Sequence, residues 1–132
     1  MKLSTFCVTA AVMAGSATLW AQSNSVDFAE PKNGATVTSP VKVKMLVSGM
    51  KAIPAGDMTA NTGHHHLIVN GGPIKEGESV PFDDTHLHFG KGQTETDLTL
   101  APGKYTLTLQ FANGAHQSYG SPMSKTIEIT VK

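Results

Sequence analysis

An all-β fold, an immunoglobulin-like β-sandwich of about seven strands in a single domain, is predicted by three features of the sequence. Apolar and polar residues alternate with a period of two over several stretches, clusters of Gly, Pro and Asn separate those stretches, and no window carries a capped helical stripe.

The first strand is expected at 25–38, broken into 25–29 and 35–38 by the turn residues Pro31, Lys32, Asn33 and Gly34. Along 41–48, Val41, Val43, Met45 and Val47 alternate with Lys42, Lys44, Leu46 and Ser48, which makes a half-buried strand. Strands follow at 64–70, closed by Asn70-Gly71-Gly72-Pro73, and at 85–89, closed by Gly90-Lys91-Gly92. A further strand at 94–100 ends at Ala101-Pro102-Gly103. In 103–112 the apolar phase is Tyr105, Leu107, Leu109 and Phe111, and the polar phase, Thr106, Thr108 and Gln110, is expected to face solvent. After Asn113-Gly114 the last strand, 124–132, sets Ile127, Ile129 and Val131 against Thr126, Glu128, Thr130 and Lys132. In a sandwich of this order alternate connections share an end, so the loops before residue 64, after residue 89 and after residue 112 should gather at one pole.

The N-terminus reads differently. Residues 1–21 open with Lys2, run apolar from Leu3 to about Leu19 and end in the small residue Ala21, the pattern of a secretory signal peptide. Its removal would leave residues 22–132 as the domain, with nine lysines and ten acids and without Cys7 and Trp20. The expected location is therefore periplasmic or secreted, with neither a disulfide nor a thiolate ligand in an oxidising compartment. At 15% charged residues and with no basic cluster, the chain lacks the footprint needed to hold a nucleic-acid backbone. After cleavage no apolar run is long enough for an integral membrane protein. No nucleophile elbow, catalytic triad order or carboxylate pair is present, so the expectation is a protein that is not an enzyme.

The histidines are concentrated. Five of the six fall in His64-His65-His66 and His86-Leu87-His88, and the sixth is His116. A strand puts residues i and i+2 on one face, so His86 and His88 point together while Leu87 and Phe89 turn to the core. His64 and His66 form a second pair if Leu67 and Val69 face inward, in which case His65 shares the inner phase. Ile68 continues the other phase, so all three remain candidates. All six histidines are expected at the loop pole as ligands of a metal ion, with Met50 and Met58 as soft donors and Asp83, Asp84 and Glu95 as acceptors that orient ring N–H groups. Imidazole suits copper and zinc, and a thioether tilts the choice toward copper. The reading is a periplasmic metal-binding module, a chaperone, buffer or sensor, whose partners are the ion and another periplasmic protein. The competing reading is a non-catalytic envelope interaction module with a structural or pH-sensing histidine cluster.

Three strings carry a family likeness: 63–70 (GHHHLIVN), 86–96 (HLHFGKGQTET) and 101–116 (APGKYTLTLQFANGAH). With Val26-Asp27-Phe28-Ala29-Glu30-Pro31 and Pro54-Ala55-Gly56, they resemble the secreted bacterial domain of unknown function 4399 over nearly all of 22–132. The resemblance implies export and a compact β domain, and it assigns no activity.

Overall fold

The structure, a computed structural model, describes residues 23–132; the leader expected at residues 1–21 lies outside the described residues. Nine strands follow in order: β1 (Ser25–Glu30), β2 (Thr36–Val37), β3 (Val41–Ser48), β4 (Lys51–Ala52), β5 (Thr62–Val69), β6 (His86–His88), β7 (Glu95–Leu98), β8 (Gly103–Ala112) and β9 (Ser124–Val131). One 3-10 turn, Ser121–Met123, leads into β9. The order β1-β3-β7 makes one antiparallel sheet, and β2-β9-β8-β5-β4, with β6 alongside β5, makes the other. The sandwich expected from the sequence is present. The short pieces β2 and β4, each paired in parallel with its neighbour, account for the strands beyond the expected seven.

Period-two alternation builds the core. Val41, Val43 and Met45 of β3 turn inward with Val26 and Phe28 of β1, and meet Leu107, Leu109 and Phe111 of β8 and Ile127, Ile129 and Val131 of β9. Each such side chain removed from water contributes roughly 1.5–3 kcal/mol. Leu67 joins this cluster, Leu87 packs against it and Phe89 is buried in it, so the inward phases expected for β5 and β6 hold.

The other face of the larger sheet departs from expectation. Thr108 and Gln110 are fully buried, as are His64, His66 and Ile68 on the neighbouring strand. Two segments cover them, residues 70–85 and residues 113–120. The Gln110 amide fastens both: its Oε1 accepts from the Ile74 N–H at 3.0 Å, and its Nε2 donates to the Gly120 carbonyl at 3.0 Å. Thr108 Oγ1 donates to the Gly71 carbonyl and Ser118 Oγ to the Ile74 carbonyl, both at 2.8 Å. The covering segments also pair with each other, Gly77 N–H to Ser118 C=O and Ser118 N–H to Glu78 C=O. A second, smaller interior thus lies on the outside of the sheet, closed over by Val80 at 1% exposure.

Strand β5 is consequently buried on both faces, and it closes against β8 tightly. A Cβ on Gly63 would collide with the Ala112 carbonyl and the Phe111 ring, so only glycine admits this approach immediately before the histidines.

Replacing Gln110 by Leu removes the amide that holds both covering segments and leaves the Ile74 N–H and Gly120 carbonyl without their partner. A loss of about 2–3 kcal/mol is expected, measured by urea unfolding.

Candidate metal centre

The register of β5 decides which histidines meet. His66 lies opposite His88 of β6 and opposite Gln110 of β8, while His64 lies opposite Ala112 at the end of β8. His64 and His66 share the outer phase, and the loop after β8 returns over them to deliver His116. One nitrogen from each of His64, His66, His88 and His116 lies within 4.8 Å of the other three. The meeting place is the covered outer face of the sheet, not the open pole of loops that the strand order suggested.

The loop that carries His116 is wound by Asn113, whose Oδ1 accepts from the N–H groups of Ala115 and Gln117 at 2.9 and 3.0 Å. The His116 N–H donates to the Asn113 carbonyl at 2.9 Å. His116 itself sits at φ 61°, in the left-handed region that costs a residue with a Cβ about 1–2 kcal/mol. Glycine or asparagine would adopt this conformation more readily, so the imidazole is held there against a local preference.

Partners assign the ring protons. A carbonyl oxygen only accepts, so His66 Nδ1, 3.3 Å from the Gln110 carbonyl, and His88 Nε2, 2.7 Å from the Pro81 carbonyl, both carry hydrogen. The remaining nitrogens, His66 Nε2 and His88 Nδ1, are therefore lone pairs, and both point at His116 Nδ1, at 3.4 and 3.3 Å. His64 Nε2 reaches the same atom at 3.1 Å. One ring nitrogen has a single hydrogen or a single lone pair, so His116 Nδ1 cannot satisfy three neighbours. Backbone carbonyls behind the ring N–H groups, with lone pairs in front, are the arrangement that orients imidazole toward a metal.

The spacing agrees. A tetrahedral ion with bonds of about 2.0–2.1 Å holds its nitrogens about 3.3 Å apart. A square-planar ion would instead need two neighbours at about 2.9 Å and a third at about 4.1 Å from any one ligand. The three contacts of His116 Nδ1, at 3.1, 3.4 and 3.3 Å, follow the first pattern, while the four nitrogens as a set lie within a wider 4.8 Å of one another.

Burial keeps the inner rings uncharged. His64 is pushed down to about 4 by loss of water, with the neighbouring His116 and His88 adding to the effect. His66 is pushed down to about 2 by burial and by His64 and His88, against a smaller opposing contribution from the Gln110 carbonyl. His116 is lowered too, by burial first and His88 second. Neutral imidazole is the form that binds a cation.

Two of the six expected ligands stand apart. His65 turns the other way, into the core, where its ring meets Phe111 edge-on at 5.1 Å. Its burial is complete and both ring nitrogens lack a partner, which leaves it neutral and lowered to about 4 by burial, then by His64. His86 shares a face with His88 but is paired across the strand with Ile68, and its Nδ1 donates to Asp83 Oδ1 at 2.7 Å. That bond and one from Thr85 hold the exposed Asp83 carboxyl down at about 2. Asp83 therefore orients His86 rather than a member of the cluster. Glu95 lies on the opposite sheet beside Lys42, 4.0 Å away, and Asp84 is exposed and outside the cluster. The expected soft donors are also elsewhere: Met50 packs against the main core and Met58 is 59% exposed.

Residues that pattern alone did not single out complete the site. Pro81 and Gln110 contribute their carbonyls, and Phe82, 72% exposed, stacks flat on His88 at 3.9 Å. Nothing in the residue types of these positions marks them, because two act through backbone oxygens and the third through its position.

Because His64, His65 and His66 bind protons more weakly folded than unfolded, the unfolded chain takes up more protons below about pH 6.5. Stability should be flat above that value and fall as the pH drops from about 6.5 toward 4, with a slope of up to about 1.4 kcal/mol per pH unit for each histidine. Urea midpoints measured across this range check it. His65→Leu removes two unpaired buried nitrogens and should raise stability at pH 7 by about 1 kcal/mol while making the acid loss shallower.

Comparison with known proteins agrees with the fold. The X-ray structure of the endo-beta-1,4-mannanase from Thermotoga petrophila superposes with a TM-score of 0.51 at 15% identity, over 83% of this chain and 20% of the mannanase chain. The likeness is one of fold, and this chain spans about a fifth of the mannanase. No curated protein matches the sequence. The family model for the domain of unknown function DUF4399 matches residues 43–132, a stretch that holds every histidine of the cluster and the strands that position them. The chain belongs to the DUF4399 family.

Proposed function

We propose that this protein is an exported metal-binding module that holds one Cu(I) or Zn(II) ion between His64, His66, His88 and His116, as a chaperone, buffer or sensor. The observation that carries the reading is the pair of ring tautomers set by the Gln110 and Pro81 carbonyls, which aim two lone pairs at a third imidazole nitrogen. Both ions have filled d shells and accept tetrahedral nitrogen sets, whereas Cu(II) prefers a tetragonal one. With no thioether in the cluster, donor softness does not separate Cu(I) from Zn(II). The leader-like residues 1–21 support export to a compartment where either ion is met.

Four imidazoles complete a tetrahedral ion and leave no position for a bound water, which favours holding over catalysis. A pH sensor for the range 5–8 is disfavoured, since burial keeps His64 and His66 neutral through it.

The purified protein, free of a histidine tag, should bind one Zn(II) or one Cu(I) per chain and gain about 2.7 kcal/mol of stability with the ion at a hundred times its Kd. Binding should be lost in the double variant His88→Ala/His116→Ala and kept in His86→Ala. Retention in the double variant, measured by metal content after dialysis, sinks the reading. Tighter binding of Cu(II) than of either d10 ion would sink the assignment of geometry.

A further inference from the structure

The four histidines are not equivalent in how they are held. His64 and His66 belong to a strand buried on both faces, with no exposure of their own. His88 and His116 are only half-buried, so the approach from solvent to the centre passes between them. One short segment controls both. The Val80 N–H donates to the His116 carbonyl at 2.9 Å, the Pro81 carbonyl accepts from His88 Nε2 at 2.7 Å, and Phe82 follows directly.

Phe82 is placed oddly for an apolar residue. It is 72% exposed, yet its ring is ordered against two imidazoles: parallel to His88 at 3.9 Å and 7°, and edge-on to His116 at 5.0 Å and 70°. Its exposure means that it contributes little to the core, and its contacts are with the two outward histidines.

Resting on the metal-binding reading above, we infer that Phe82 sets the rate at which the ion leaves: it lies over His88 and His116 and excludes water and competing ligands from the side on which those two can detach. Exchange proceeds from this side, by movement of Phe82 and the Pro81 carbonyl away from His88, while His64 and His66 stay in place on β5. A thiol or imidazole of an acceptor would enter where Phe82 lies, replacing His88 first.

The test is release of Zn(II), and of Cu(I) under anaerobic conditions, into excess chelator, followed in time for the unaltered protein, Phe82→Ala and Phe82→Trp. Phe82→Ala should release the ion about tenfold faster with the stoichiometry still one per chain, and Phe82→Trp should restore slow release. Equal thermal midpoints of the metal-free proteins confirm that the change is not one of folding. Release within twofold of the unaltered rate in Phe82→Ala overturns the role of Phe82 while leaving the metal site standing. Failure of the unaltered protein to take up either ion overturns the metal-binding reading, and this one with it.

Discussion

The burial of β5 on both faces is the constraint from which the rest of this structure follows. A strand of a sandwich ordinarily gives one face to the core and the other to water, and a histidine on the wet face needs no partner within the protein. Here residues 70–85 and 113–120 close over the second face, so every polar group on it must be satisfied internally or left at a cost. Gln110 meets this demand with its whole amide: Oε1 accepts from the Ile74 N–H, and the two Nε2 hydrogens are shared among the carbonyls of Gly120, Phe111 and Met123. The same closure takes His64 and His66 out of water and puts them in a small, weakly polarisable space.

Within that space the arrangement of charge is incomplete in a specific sense. The ring protons of His66 and His88 are committed outward to carbonyls, so the interior of the cluster is rich in lone pairs and poor in hydrogens. No carboxylate is among the four residues, and Asp83, close in sequence to His88, is engaged by His86. Such a gathering of lone pairs is the kind of environment that a cation with directional bonds would stabilise, and protons compete poorly for His64 and His66 because burial disfavours their imidazolium forms.

Rigidity is divided across the cluster. The inner two histidines are part of a ladder pinned by β8 on one side and β6 on the other, where local opening demands disruption of the sheet. Of the outer two, His88 ends the three-residue strand β6 and donates to the Pro81 carbonyl, and His116 is on a loop, held in a left-handed backbone conformation by Asn113. A cluster built on one deeply buried strand, one short strand and one loop can open on its outer side without unfolding of the sheet.

Much of this was legible in residue order. Alternation fixed the strands at 41–48, 103–112 and 124–132 and their inward phases, because a pleated strand with one buried face has no other way to distribute its side chains. The same rule offered His64 and His66 as a pair, and the clustering of histidines marked the site, but with Ile68 as apolar as Leu67 the phase stayed open and His65 remained a candidate until the fold turned it into the core. What tertiary structure decided was everything set by contacts across the chain. Gln110 and Thr108 read as solvent-facing because they alternate with core residues, and only the segments folded over them make them interior. His86 and His88 have the same phase, and it is the register of β6 on β5 that puts one opposite His66 and the other opposite Ile68. Phase is a local property, carried by each residue and its neighbours. Register and coverage are long-range, and depend on which residues of distant segments come to lie against one another.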